Sequence, residues 1–308
     1  MASSGAFRLG LIGAGRMGQT HLRALAASDD VDVVSVAEPV ATLRANAEES
    51  FGVRGYSSLD AMLEAGGIDG ALIVTPSDSH VAVIERVAGS GLAILCEKPC
   101  GVSSADTSRA REIVTELGLP LQVAYWRRFV PELREIKDRI ENGDFGELLS
   151  LTCLQWDGEP PAASFRSRSG GIFVDMGVHE FDQARWLTAS DLHDLRAVAS
   201  SIVTDPESAG DPDAAQVLGR SASGATVVVT LGRHYAGGDV ASVEVFGTRD
   251  HQHSVFLDPA DGERAQLAAL RLQASAFAEF ARGGLCRGAT VDDAIAALEA
   301  AETLRVQV

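Results

Sequence analysis

The sequence predicts an α/β protein in which an N-terminal doubly wound parallel sheet is followed by a second α/β domain on a largely antiparallel open sheet. Three observations predict it. Short, nearly unbroken apolar runs alternate with helical patterns through the first 125 residues, the rhythm of strands covered on both faces by crossover helices. A glycine-rich turn, Gly13-Ala14-Gly15-Arg16-Met17-Gly18, joins the first such run to the first helical pattern. Beyond Arg196 several strand-like runs succeed one another with turns and no helices between them, as antiparallel neighbours do. At 308 residues the chain exceeds the usual single domain. The change of rhythm sets the expected domains at residues 1–125 and 126–308.

Taken in order, Phe7–Ile12 reads as the first strand, and a helix follows from about Met17 to Ala27. Val31–Ala37 is the second strand, with a helical pattern ending at Gly52. Asp69–Val74 is a strand closed by Thr75-Pro76, and His80–Ser90 resumes helical spacing. Leu92–Cys96 is a strand; Ser103 or Ser104 caps the helix that runs to Leu117, and Leu121–Ala124 closes the series. In the second half, a helix near Pro131–Asn142 leads to a strand at Leu148–Trp156. A Pro/Ser/Arg-rich loop then gives way to GGIFVDMGVHEFDQARWL, whose apolar residues fit a helix opening after two glycines. At least four strands are expected between Arg196 and Leu257, and helices near Glu263–Arg282 and Val291–Val306 finish the chain.

Composition narrows the function classes. Hydrophobic residues make up 46% and charged residues 22%, the balance of a globular chain. A net charge of −17 repels phosphate backbones and anionic lipid, which argues against nucleic-acid and membrane-surface roles. No run of about 18 apolar residues is present, and Met1–Ala6 lacks the cationic and apolar segments of a leader. Cys96, Cys100, Cys153 and Cys286 show neither a disulfide framework nor paired metal spacing, so reduced thiols, a cytoplasmic location and no metal are expected.

The glycine turn carries the first chemical signal. Gly13 allows the tight turn, Gly15 lets backbone amides approach a pyrophosphate, and Gly18 lets the helix pack close to the strand. The helix N-terminus beside Arg16 and Met17 adds partial positive charge. Glu38 lies twenty residues past Gly18, where a carboxylate accepts both adenosine ribose hydroxyls and repels a 2′-phosphate. The expected cofactor is therefore NAD, with NADP less favoured. Arg44 leaves the second open, and a solvated Glu38 beside Pro39 is the plain alternative.

Two further clusters point to chemistry. Cys96-Glu97-Lys98-Pro99 follows the fifth run, at the strand end where open α/β sheets bind ligands. Lys98 there can stabilise a developing alkoxide, or it is a surface lysine in a turn. Asp175 and His179 are four apart, on one face if the segment is helical. A neutral histidine oriented by a carboxylate suits removal of a hydroxyl proton. Ordinary polar residues of an amphipathic helix, or a metal pair lacking a third ligand, are the competing readings.

GLIGAGRMG, CEKPC, AYWRRFVPELREIKDRIENGDFGEL and GGIFVDMGVHEFDQARWL together resemble the Gfo/Idh/MocA oxidoreductase family, and within it the inositol 2-dehydrogenases, over nearly the whole chain and in the same order. The resemblance implies a Rossmann domain followed by an α/β substrate-binding and oligomerisation domain. It implies hydride transfer between a nicotinamide and a secondary alcohol or ketone of a cyclic polyol or sugar. Lys98 becomes the lysine at substrate and nicotinamide, and Asp175 and His179 its catalytic partners, with His179 the base. Thr75, Pro76 and His80 become the nicotinamide-side wall, and Glu97 joins the cofactor set. Arg127 becomes substrate-facing, with Trp156 and Asp157 as further donors or acceptors for a polyol.

Two departures from the family pattern stand out. Tyr235, in RHYAGGDVASVEVFGT, is the residue the resemblance offers as the substrate-side tyrosine but is set further back than the family's, and the stretch near Arg249–Gly262 is short. The same residues serve reduction of a keto-sugar, and NAD-assisted glycoside cleavage or non-catalytic NAD binding are further alternatives. A homo-oligomer, dimer or tetramer, is expected through an outward-facing run around Val227–Val229.

Overall fold

The computed structural model describes residues 5–166, 169–203 and 211–307; Met1–Ser4, on which part of the leader reading rests, lie outside the described residues. By its tertiary contacts the chain divides into two units.

The first unit comprises residues 1–101, 105–126 and 267–292. Its elements are β1 (Phe7–Ile12), α1 (Arg16–Leu25), β2 (Val31–Ala37), α2 (Ala41–Phe51), β3 (Arg54–Tyr56), α3 (Leu59–Ala65), β4 (Gly70–Ile73), α4 (His80–Ala88), β5 (Ala93–Cys96), α5 (Ser104–Leu117) and β6 (Leu121–Val123). All six strands are parallel, in the order β3-β2-β1-β4-β5-β6, the doubly wound arrangement of dinucleotide-binding folds. β4 and β5 are buried at every position, because helices cover both faces of the sheet and leave no side for polar alternation.

The reading along the chain passes over β3 and α3. The first is three residues, Arg-Gly-Tyr, and the second a seven-residue helix, both too short to set up a period. Residues 267–292, far along the chain, also belong to the first unit. There Phe277 meets Phe7 edge-on, with ring centroids 5.8 Å apart, and Ala274 and Ala278 join the same buried cluster.

The second unit comprises residues 102–104, 127–266 and 293–308. It holds α6 (Pro131–Glu141), β7 (Leu148–Trp156), α7 (Ala163–Arg166), a π-helical turn (Phe173–Gly177) running into α8 (Val178–Thr188), then β8 (Leu192–Ser200), β9 (Ala214–Ser221), β10 (Thr226–Gly232), β11 (Val240–Gly247) and β12 (His251–Leu257). α9 (Gly262–Ala281) starts here and passes into the first unit, and α10 (Val291–Arg305) returns. The sheet order is β12-β11-β7-β10-β9-β8, antiparallel throughout except for the parallel β7–β10 pair.

β9 alternates strictly between buried and exposed positions, the mark of a sheet with one covered face. That alternation corrects the reading of Val227–Val229 as an outward run. Val227 and Val229 are each 1% exposed and point inward; only Val228 between them faces the open side, since successive side chains of a strand point to opposite faces.

Candidate active site

Register places the cofactor residues of the first unit. Tyr56, Ala37, Ile12, Ile73, Cys96 and Val123 form one row across the sheet at the carboxyl ends of its strands. Gly13–Gly18, Glu38, Thr75-Pro76 and Glu97-Lys98 all follow directly beyond that row. A parallel sheet thus gathers four separated segments at one edge.

The backbone there fits a dinucleotide. Gly13 has φ +98°, and a Cβ on it would stand 2.8 Å from the carbonyl oxygen of Val74. A Cβ on Gly18 would stand 2.3 Å from the carbonyl oxygen of Gly13, whereas one on Gly15 would meet nothing within 4 Å. Gly13 and Gly18 are therefore demanded by the turn itself. Among the described residues nothing stands where a Gly15 Cβ would be, as expected if that space is for a pyrophosphate. Gly15 also caps α1 without a side chain, and no acid occupies the first turn, so the first amides of the helix carry no capping side chain of their own.

Glu38 is 6% exposed and accepts the amides of Ala14 and Val40, each at 2.8 Å. An ionised carboxylate retains lone pairs for ribose hydroxyls beyond those two bonds. Arg44 donates to the Glu38 carbonyl at 2.6 Å.

Around Lys98 the support is internal. Glu97 is buried; one oxygen lies 2.7 Å from Nε2 of His21 on α1, and the other accepts the Lys98 amide at 3.1 Å. His80 is 1% exposed and stands between two carbonyls, Nδ1 at 2.8 Å from Pro99 O and Nε2 at 2.8 Å from Thr75 O. The ring ties the turn after β4 to the turn after β5. His80 and Glu97 brace these turns, while Thr75, Pro76 and Lys98 are the more exposed residues of the edge.

In the second unit the strand ends again set the geometry. Val240, Trp156, Gly232 and Ala214 form a row. The indole of Trp156 lies over Gly232, where a Cβ would come within 2.1 Å of the ring. Asp157 and Arg233 follow directly on that row. Arg233 is 1% exposed, and its Nη1 donates to Asp175 at 2.8 Å. Its Nε donates to Asp211 at 3.1 Å, and Asp157 stands 3.9 Å away. Burial pushes the carboxyl groups of Asp157 and Asp211 up from their ordinary range, against the pull of Arg233. Asp175 belongs to the π turn and His179 to the first turn of α8; both are largely buried. Such wide turns recur at functional sites.

Arg127 and Tyr235 are the other two residues expected at the substrate. Arg127 is 3% exposed and donates to Glu180, Gln155 and Gln183, with its guanidinium 5.3 Å from the centre of the Phe256 ring. Its fork is held inside the second unit. Tyr235 is 45% exposed; its amide donates to Asp157 O, which steadies the loop after β7. Sequence reasoning missed Arg233, Asp211 and His21. None of the four cysteines forms a disulfide, and burial lifts the Cys153 thiol to about 12. Among the described residues no helix is long and apolar enough to cross a membrane.

Comparison with known proteins decides the family. Residues 7–125 match the model of the oxidoreductase family with an NAD-binding Rossmann fold, and residues 133–251 match the Gfo/Idh/MocA C-terminal domain. The chain is 47% identical over 296 residues to the rhizopine catabolism protein MocA of Rhizobium meliloti, covering 96% of this chain and 93% of that protein. This chain belongs to the Gfo/Idh/MocA family. It is also 33% identical to an inositol 2-dehydrogenase of Rhizobium meliloti strain 1021, over 83% of this chain and 79% of that one. Among solved structures, a myo-inositol dehydrogenase from Corynebacterium glutamicum superposes with a TM-score of 0.89 at 26% identity, covering 98% of this chain and 96% of that one. The chain is an NAD-dependent oxidoreductase.

Proposed function

We propose that the protein oxidises a secondary hydroxyl of a cyclic polyol of the inositol class, with residues 1–125 as the cofactor domain and residues 126–308 as the substrate and oligomerisation domain. NAD, when bound, takes up the hydride. His179 removes the hydroxyl proton, as a neutral imidazole can near neutral pH. Asp175 orients that ring and favours its charged form once the proton has moved. Lys98 places a positive charge where the oxygen becomes negative. Trp156 offers an apolar face and Asp157 a hydrogen-bond acceptor to a ring bearing many hydroxyls, and Tyr235, whose amide is bonded to Asp157 O, adds a phenol. Glu38 sets the preference for NAD over NADP by accepting the ribose hydroxyls.

The observation that carries the reading is the presence of Lys98, Asp175 and His179 in a chain that matches an inositol 2-dehydrogenase over 83% of its length. The likeness to a protein named for rhizopine catabolism supports a substrate taken up for breakdown, and hence the oxidative direction. The experiment is a panel of inositol isomers, aldoses and keto-sugars with NAD and NADP, followed at the reduced-nicotinamide band. Turnover of a cyclic polyol with NAD is expected. Activity confined to keto-sugars would reverse the direction, and glycoside cleavage without net reduction would replace the reaction.

A homo-oligomer fits the open face of the second sheet. Val198 on β8, Leu218 on β9 and Val255 on β12 are 77%, 57% and 46% exposed there, more apolar surface than a solvated sheet face needs. A second copy of the chain is the proposed cover, as a dimer or tetramer, and light scattering of the wild type and of Leu218→Glu tests it. Thiols without disulfides, three of the four buried, accord with a cytoplasmic site of action.

A further inference from the structure

The side chain that organises Asp175 lies fifty-eight residues from it in sequence. Arg233 follows the last residue of β10, where its amide donates to Asp213 O at 2.8 Å. Its side chain is buried among three carboxylates from three separate segments, the ends of two loops and the π turn. One fork arm reaches Asp175. The other side of the guanidinium meets Asp211, Nε at 3.1 Å and Nη2 at 2.9 Å. Asp211 in turn accepts the amide of Ile172 at 2.7 Å with its second oxygen. Ile172 is the residue from which the π turn begins, and it follows Gly170 and Gly171, whose φ values of +84° and +80° bend the chain into that position.

Arg233 therefore holds the turn twice, by its carboxylate side chain and, through Asp211, by its amino end. We propose that Arg233 is a positioning residue for the reaction: it fixes the π turn that carries Asp175 and leads into His179, so that both groups are presented in one orientation. This rests on the reading of Asp175 and His179 given under the proposed function.

The physical need is clear from the charges. Asp157, Asp175 and Asp211 all stand against the Arg233 guanidinium, and Asp239, bonded to the amide of Gly158, lies near Asp157. Burial works against the Arg233 cation, but its carboxylate partners outweigh that and hold it charged. Without it, one buried and two part-buried carboxyl groups would face one another, and like charges at such range drive protonation or separation. Lysine can supply the charge but not the fork that reaches Asp175 and Asp211 at once.

The test uses the full-length protein, with Arg233→Met, Arg233→Lys, Asp175→Asn and the Arg233→Met/Asp175→Asn double variant. Hydrogen exchange is read on peptides covering 172–179, the rest of α8 and the first sheet. Kinetics use myo-inositol with NAD. For Arg233→Met, exchange at 172–179 should rise by about tenfold or more while the first sheet keeps its protection. The rate constant kcat should fall by about a hundredfold, the cost of a small misplacement of reacting groups. NAD affinity should hold, and the acid limb of the rate profile should move to higher pH. Arg233→Lys should keep the acid limb and recover part of kcat. The double variant should be no slower than Asp175→Asn.

Wild-type exchange and wild-type kcat in Arg233→Met overturn the inference, as does protection lost equally over the whole second unit. If Arg233→Met does not accumulate as folded protein, Arg233→Lys decides: exchange and kcat both equal to wild type overturn it. Should Asp175→Asn turn over as wild type, the catalytic reading of Asp175 fails, while the exchange result still decides whether Arg233 fixes the turn.

Discussion

His21 and Glu97 meet at 2.7 Å with both side chains buried, one on the helix that opens the cofactor turn and the other beside Lys98. The contact joins two segments that the sequence separates by 76 residues, and its energetic reason is simple. A carboxylate removed from water needs donors for its lone pairs, and Glu97 finds them in the His21 ring and the Lys98 amide. Glu97→Gln keeps an oxygen for the amide and loses the charged acceptor for the ring. It should cost about 1.5–3 kcal/mol, the range for hydrogen bonds to charged groups. Urea unfolding read by near-UV dichroism measures this; a midpoint unchanged from wild type would leave the pair without structural weight.

His80 gives a pH dependence whose sign follows from its surroundings. Burial lowers its pKa below the ordinary 6.5, outweighing the two carbonyls that favour the proton. As pH falls through 6.5 the unfolded chain takes up a proton that the folded chain refuses. Stability present above 6.5 is therefore lost on acidification, down to the folded-state pKa. His80→Asn retains a donor for one carbonyl and cannot titrate. Urea unfolding at pH 7.5 and pH 5.5 should show a larger loss for wild type than for the variant. Equal losses would mean that His80 does not carry the effect.

The first unit was legible because its strands are buried on both faces and its cofactor turn is local. Gly13 to Gly18 and Glu38 are close enough in sequence for spacing alone to relate them. What escaped has a common physical cause: the partners are distant and the residue looks ordinary by itself. Arg233, in Gly-Arg-His-Tyr after a strand, reads as a solvated turn until Asp175, Asp211 and Asp157 are brought around it. His21 reads as one polar residue in an amphipathic helix. The available hint was a lone charged residue directly after the apolar run ATVVVTLG, at the end of the strand where a site is expected. For Arg127 the family likeness suggested a substrate contact, and burial beside Glu180 shows a guanidinium held within its own unit.

Gly15 and Gly18 should separate binding from folding. An alanine at Gly15 meets nothing within 4 Å, whereas one at Gly18 would press on the carbonyl of Gly13, a backbone atom that cannot swing away. Gly15→Ala is expected to melt as wild type yet bind NAD at least about tenfold more weakly, because the backbone must approach the pyrophosphate there. Gly18→Ala should lose stability even without cofactor. Calorimetric titration with NAD, together with melting of the cofactor-free protein, checks both. Wild-type affinity in Gly15→Ala would place the pyrophosphate elsewhere.

Arg128 and Asp182 form a two-bond ion pair inside the second unit, at 3.0 and 2.6 Å, with side chains 7% and 2% exposed. Burial already raises the Asp182 carboxyl above its ordinary range, and Arg128 is the chief opposing influence. Arg128→Met removes it and leaves a buried charge, a loss of about 3–5 kcal/mol. An acid whose folded pKa is raised binds protons in the folded state that the unfolded chain has released, so this variant becomes less stable as pH rises. The deficit against wild type should thus be larger at pH 8 than at pH 5. Adding Asp182→Leu removes the stranded carboxyl and should restore most of the loss, with the pH dependence of the deficit abolished. Urea unfolding of the single and double variants at both pH values decides it, and a deficit that does not change with pH would show that Asp182 finds another cation once Arg128 is gone.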